Sequence, residues 1–375
     1  MAYTPEFDLR DDQFRNYIIN GDMRIAQRGK TFSSATSGQY SVDRWVYIKT
    51  GSAVHNLAQD TSDFPSFAQS GYLFQSSLHV NLSTPSTSIG SSDYYAVGQR
   101  IEGYNFANLA QKPFTISFWV KATTPGTYSV AIRNAGTGPW PASDRSIIKE
   151  FTINASSTWE KKTIQVPASP SAGTWDYATG IGLEILFVVA AGSSYQTTVD
   201  AWQTGNYMRA ANQINGVNTG STSFKITGVS VNEGYESLPF KTAGVNFTHE
   251  LNLCQRYYWK TYDTATAPGT VTTNGAIGTI DFSVPAAGAN TWYIPLSFGR
   301  PLRVAPGSAD LVFYNPATGL AGIRNASGGT NVTGTFAVSG STGQTGISNF
   351  SISSASAAIT LGQACMFHLT VNAEL

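Results

Sequence analysis

Apolar and polar residues alternate with a period of two through most of the chain. Over residues 114–121, Phe114, Ile116, Phe118 and Val120 fall on one side and Thr115, Ser117 and Lys121 on the other, with Trp119 the exception. That is the pattern of a strand with one buried face. The same spacing recurs in Leu78, Val80 and Leu82, in Tyr128, Val130 and Ile132, and in Ile164 and Val166. Residues 181–189 begin by alternating and then turn apolar on both faces, as a central strand does. Phe224 and Ile226 share a face, yet Val229 and Val231 are out of phase with them, which predicts a β-bulge at Gly228. Turn chemistry separates the segments at Thr124-Pro125-Gly126, Asn134-Ala135-Gly136, Asn215-Gly216 and Asn232-Glu233-Gly234. Helical spacing is confined to a turn or two at Tyr104–Ala110 and at Thr248–Cys254, the latter with Thr248 as its expected N-cap.

A chain of 375 residues is long enough for more than one core. The text changes near Gly234 to Phe240, and a second set of alternating runs follows: Ile280, Phe282 and Val284; Trp292, Ile294, Leu296 and Phe298; Phe367, Leu369 and Val371. Stretches such as 339–343 read as hairpin tips. The expected organisation is all-β: a short segment over 1–13, a β-sandwich over 14–235, and a second, smaller antiparallel β-sandwich over 236–375.

Composition narrows the function. Charged residues make up 12% of the chain, 23 basic against 23 acidic with no block of one sign, which argues against a nucleic-acid partner. The longest apolar run, Ile181 to Ala190, is broken by Gly182 and Glu184 and falls short of the roughly 20 residues of a membrane helix, so no membrane insertion is expected. The first residues carry neither the basic nor the apolar stretch of a secretory signal. Cys254 and Cys365 lack metal-binding spacing and sit in apolar text, so buried thiols are expected rather than a disulfide.

Catalytic motifs are sparse. His55, His79, His249 and His368 are scattered, and His79 and His368, lying opposite the apolar faces of their strands, are expected at the surface. There is no Gly-x-Ser-x-Gly elbow, no phosphate-binding glycine loop and no Cys-x-x-Cys. The expectation is a non-enzymatic protein with no catalytic residues, no cofactor and no resident metal, although carboxylates paired for glycoside hydrolysis lie far apart in sequence and stay open. Asp22, Asp200 and Glu233 are the carboxylates available to a structural calcium ion. In Asp43-Arg44-Trp45 the charges are expected to pair locally while Trp45 packs inward. Aromatic rings in loop-like text suit stacking on the apolar face of a sugar: Trp140, within Pro139-Trp140-Pro141, with Trp175, Tyr177, Trp202 and Tyr207. The same rings would also serve packing between subunits.

Asn16-Tyr17-Ile18-Ile19-Asn20-Gly21-Asp22-Met23-Arg24-Ile25-Ala26-Gln27-Arg28-Gly29 and Tyr40 to Trp45 resemble the opening of jelly-roll modules in bacteriophage tail-fibre and other virion appendage proteins. Gln99 to Gly103, Phe114 to Ala122 and Gly228 to Gly234 continue that resemblance over nearly all of 14–235. Glu250 to Lys260 looks like a stretch that recurs in phage fibre and capsid-associated proteins, with Leu296 to Pro306 and Tyr314 to Gly319 as its usual companions. The resemblance implies a carbohydrate-binding-module-like jelly roll and a virion protein assembled in the bacterial host cytoplasm. Its partners would be other virion proteins, further copies of itself in a homo-oligomer, commonly a trimer, and a host surface polysaccharide. A fibre or spike subunit for host attachment, with residues 1–13 as the segment that attaches it to the particle, a capsid decoration, head-fibre or connector protein, and a polysaccharide depolymerase are the roles in play.

Overall fold

The computed structural model describes residues 16–136, 142–220, 222–280, 290–292, 296–327, 329, 331–332, 335–337, 342–348, 350–353 and 364–375. The described residues fall into two compact units, 16–24 with 31–250 and 25–30 with 251–375, and the expected segment over 1–13 lies outside the described residues.

The alternating segments of the first unit become strands β1 (Thr31–Phe32), β2 (Gln39–Tyr40), β3 (Trp45–Lys49), β4 (Val54–Asp60), β5 (Ser77–Thr84), β6 (Tyr94–Glu102), β7 (Phe114–Ala122), β8 (Gly126–Arg133), β9 (Arg145–Ile153), β10 (Glu160–Val166), β11 (Ile181–Ala191), β12 (Gln203–Thr204) and β13 (Ser223–Glu233). One sheet runs β1-β4-β5-β13-β7-β10 and the other β12-β9-β8-β11-β6-β3-β2, every pairing antiparallel. The chain passes repeatedly from one sheet to the other, giving a jelly-roll β-sandwich. Among the described residues, α-helix is limited to Phe67–Ser70, Gly103–Phe106 and Phe247–Gln255, so the fold is all-β. None of these helices is long and apolar enough to cross a membrane.

β11 lies between β6 and β8, which is why its sequence is apolar on both faces. The inward faces of the two sheets interdigitate through aromatic rings. Phe118 of β7 meets Phe187 of β11 at 4.9 Å and Phe151 of β9 at 5.2 Å, both edge-on, and Tyr128 of β8 packs on Phe224 of β13 at 5.7 Å. Such pairs add about 0.5–1.5 kcal/mol each beyond the area they bury. The bulge falls where the phase slip placed it: the β13–β7 register shifts between Thr227 and Ser230. Gly228 there has φ +61°, and a Cβ would stand 2.5 Å from the Phe74 ring, so a side chain at this position would strain the backbone and push the ring aside.

Polar groups inside this unit are satisfied in specific ways. Glu184 on β11 receives Arg133 Nε at 2.6 Å and Arg100 Nε at 3.0 Å, and the Arg133 and Glu184 side chains are essentially inaccessible to solvent. Burial by itself would push the Glu184 carboxyl up, but the Arg133 and Arg100 guanidiniums hold it below the usual range. His55 on β4 is buried against Tyr47 and Tyr95, with Tyr47 Oη 2.6 Å from its Nδ1. Desolvation, helped by Lys49, pushes its imidazole down to about 4. An unfolded imidazole titrates near about 6.5, so the stability from keeping His55 neutral is fully present above that pH and disappears as pH falls through about 4. The expected loss from this group is about 2 kcal/mol between pH 7 and pH 5. Urea titrations at the two pH values should show that difference shrink in His55→Gln by about the same amount.

The opening signature is irregular backbone held by amide side chains. Asn16 Oδ1 accepts from Ile18 N and Val231 N at 2.9 Å, while its Nδ2 donates to Val229 O and Lys241 O. Gln99 pairs with both the N–H and the carbonyl of Ile19, as a neighbouring strand would. Asn20 and Met23 take left-handed φ values of 57° and 61°; Trp45 Nε1 donates to Asn20 O and Gln59 Nε2 to Met23 O. Asn16→Ala is therefore expected to destabilise by about 2–3 kcal/mol, measured by urea denaturation, because buried backbone groups lose their partners.

In the second unit the strand Ala364–Asn372 is the organiser, pairing with Tyr258–Lys260 and Leu311–Tyr314 along one half and with Ile277–Ile280 and Ile323–Asn325 along the other. Phe298, Leu302, Phe313, Ile323, Phe367, Leu369 and Val371 form its core. This smaller antiparallel region follows the jelly roll in sequence. Residues 25–30 belong to it. Arg28 pairs with Glu374 at 3.1 Å and lies over the Tyr258 ring at 3.8 Å, and the Lys260 ammonium donates to the carbonyls of Gln27, Thr264 and Thr266. Cys254 and Cys365 are buried and form no disulfide. Of the alternating runs, Phe282, Val284 and Ile294, with residues 339–341 of the expected hairpin tip, lie outside the described residues.

Three local expectations need correction. The helix Phe247–Gln255 is capped by Asn246, whose Oδ1 accepts from His249 N at 2.9 Å, and Thr248 sits inside its first turn. His368 is fully buried: its ring stacks on Tyr262 at 3.6 Å and its nitrogens meet Thr261 Oγ1 and Thr272 O, because the face opposite the core is covered too. His79 is half-buried, with Nε2 2.8 Å from Ser223 Oγ.

Candidate functional site: an aromatic cluster on the jelly roll

Two connections of the jelly roll bring aromatic rings together over the short helix Gly103–Phe106. The first, residues 167–180, joins β10 to β11; the second, residues 192–222, joins β11 to β13 and includes β12. Phe106 is fully buried and forms the base. Trp175 stacks on it at 5.2 Å and 25°, and Tyr177 at 6.0 Å and 6°. Trp202 from the second connection meets Trp175 edge-on, with centroids 5.7 Å apart and planes at 80°. Trp175 and Trp202 are half-buried, and Tyr177 is 45% exposed.

The backbone beneath the rings is fixed by polar side chains. Asp176 Oδ1 accepts from Ala178 N at 2.8 Å and Gly180 N at 3.1 Å, closing an Asx turn between the two stacked rings. Tyr104 N donates to Ala178 O and Gly103 N to Gly180 O, which ties that turn to the helix. Asp144 accepts from Thr174 N and Thr174 Oγ1 and from Asn134 Nδ2. Burial would raise the Asp144 carboxyl, but these hydrogen bonds and nearby Arg145 hold it below its ordinary value. Both indole N–H groups are used internally, Trp175 Nε1 on Ala172 O and Trp202 Nε1 on Pro167 O, each at 3.1 Å. The cluster therefore offers ring surface and no indole donor.

Of the rings singled out from the sequence, Trp175, Tyr177 and Trp202 come together. Tyr207 does not join them: it packs beside Met208 and Ala210 on another cluster, over Val46, Ile48, Ala96 and Leu186. Trp140 lies outside the described residues. Phe106, the base of the cluster, was not among the candidates, because it stands in a short helical turn with nothing local to mark it.

The carboxylates considered for calcium do not meet. Asp22 pairs with Arg24, Asp200 with Lys149 and Glu233 with Lys112. Among the described residues, no group of three His, Cys, Asp or Glu side chains is placed to hold a metal. Asp22 and Glu250 are buried acids whose carboxyls desolvation pushes up, Glu250 to about 7. Glu250 accepts from Asn20 N and Gly244 N, and both side chains are almost wholly inaccessible, so they brace the opening signature.

No protein-family model matches the chain, and no curated protein does. Solved structures with similarity include the enzymatically active domain of tailspike protein 4 from bacteriophage CBA120, at 17% identity and TM-score 0.32, covering 59% of this chain and 22% of that one. A family 11 carbohydrate-binding module from Clostridium thermocellum, in complex with a β-1,3-1,4-mixed-linked tetrasaccharide, overlaps at 14% identity and TM-score 0.30, covering 56% of this chain and 97% of that one. The CBM22-1 xylan-binding domain of Paenibacillus barcinonensis Xyn10C overlaps at 8% identity and TM-score 0.24, covering 56% of this chain and all of that one.

Proposed function

We propose that this chain is a non-enzymatic subunit of a bacteriophage particle, a fibre or spike protein whose jelly roll holds a host-surface polysaccharide by ring stacking at Trp175, Tyr177 and Trp202. The observation that carries the sugar-binding part is the convergence of these three rings from two connections onto Phe106, with Tyr177 open to solvent. Flat rings, with both indole N–H groups already bonded within the protein, suit the apolar face of a pyranose. The virion part rests on the resemblance of residues 16–29 and 250–260 to phage appendage proteins. One such site is weak, and several copies in a homo-oligomer, a trimer in this reading, supply adhesion through avidity.

A connector or decoration role is the second reading. It is favoured by the exposed apolar side chains of Tyr235, Val245 and Phe247, which another subunit would cover. Phage particles carrying Trp202→Ala or Tyr177→Ala in this subunit should assemble normally and adsorb to host cells roughly tenfold more weakly. Unchanged adsorption, with the labelled subunit over the capsid lattice, would favour decoration. Release of reducing ends from host capsule by the purified protein would replace both readings with a depolymerase.

A further inference from the structure

The segments that carry the rings also carry the charges around them. Residues 142–149, 167–180 and 198–207 hold three carboxylates, Asp144, Asp176 and Asp200, against two cations, Arg145 and Lys149. Lys149 faces Asp200. Arg145 donates to the Asp144 carbonyl at 2.6 Å, and its stem lies along Gly173, whose φ is +114° and where a Cβ would stand 2.5 Å from Arg145 Cγ. The cations on these segments are thus turned onto the protein's own oxygens, and the local excess is negative. A polyanion approaching the rings meets a net negative charge on these segments, three carboxylates against two cations.

The angle between the indoles adds a second constraint. Trp175 and Trp202 form a corner of 80°. A ribbon-like glycan presents successive rings in one plane and needs coplanar platforms; a corner embraces a single ring on two sides.

We infer, resting on the glycan reading above, that the cluster takes an uncharged pyranose at a chain end or branch and discriminates against acidic polysaccharides and flat ribbons. The full chain is titrated against immobilised branched mannan, cellohexaose, alginate and hyaluronan at about 50 and about 500 mM salt. The expected result is mannan bound roughly tenfold more tightly than the other three, little changed by salt, and lost in Tyr177→Ala. That substitution removes an exposed ring and leaves the buried base intact. Tighter binding of alginate or hyaluronan that collapses in high salt overturns the charge argument, and tighter binding of cellohexaose overturns the corner argument. Binding to none of the four overturns the glycan reading and this inference with it, whereas either preference alone leaves that reading standing.

Discussion

Replacing Glu184 with alanine is expected to cost roughly 3–5 kcal/mol, the largest single-site effect in the first unit. The carboxylate sits on the central strand β11 between Arg133 and Arg100, and its removal leaves two desolvated guanidiniums facing each other. A domain holds only about 5–15 kcal/mol in total, so Glu184→Ala should lower the urea midpoint of the jelly roll severely. The triple variant Arg100→Met, Glu184→Met, Arg133→Met should recover most of the loss, because the penalty comes from uncompensated charge. Arg133 Nη1 also donates to Asn206 Oδ1, four residues beyond Trp202. Ring stacking at the aromatic cluster is therefore expected to weaken in Glu184→Ala before the sandwich itself unfolds.

Lys260→Met is expected to have the corresponding effect in the second unit, about 3 kcal/mol. The ammonium gathers three carbonyls, Gln27 O at 2.8 Å, Thr264 O at 3.0 Å and Thr266 O at 2.6 Å, and no apolar side chain can satisfy them. Hydrogen exchange reads the result by region. Protection should fall at residues 25–30 and along Ala364–Asn372 and stay constant along β11. Equal loss in both places would mean that Lys260 acts globally and that residues 25–30 are not bound to the second unit in this way.

Much of the fold was legible because strand burial is written locally. Phe114, Ile116, Phe118 and Val120 point to the core as their alternation requires, and the slip at Gly228 marks a real bulge. What stayed hidden depends on partners far away in sequence. His368 reads as a surface residue because alternation places it opposite Phe367 and Leu369, and nothing nearby announces that Tyr262 covers it. The Asn246 cap was missed because Thr248 is also a good capping residue and sits two positions away. At the aromatic cluster, loop-like text pointed to Trp175, Tyr177 and Trp202, but not to their meeting or to Phe106 beneath them. Their convergence is set by the Asp176 turn and the Trp202 Nε1–Pro167 bond, both products of the assembled sandwich.

The most direct test of the account is fluorine NMR of the chain labelled with 5-fluorotryptophan, its resonances assigned by single Trp→Phe variants and titrated with host-surface polysaccharide. The account calls for saturable shifts at Trp175 and Trp202, with buried Trp45 unmoved. Shifts confined to other indoles, or none at saturating polysaccharide, would contradict it.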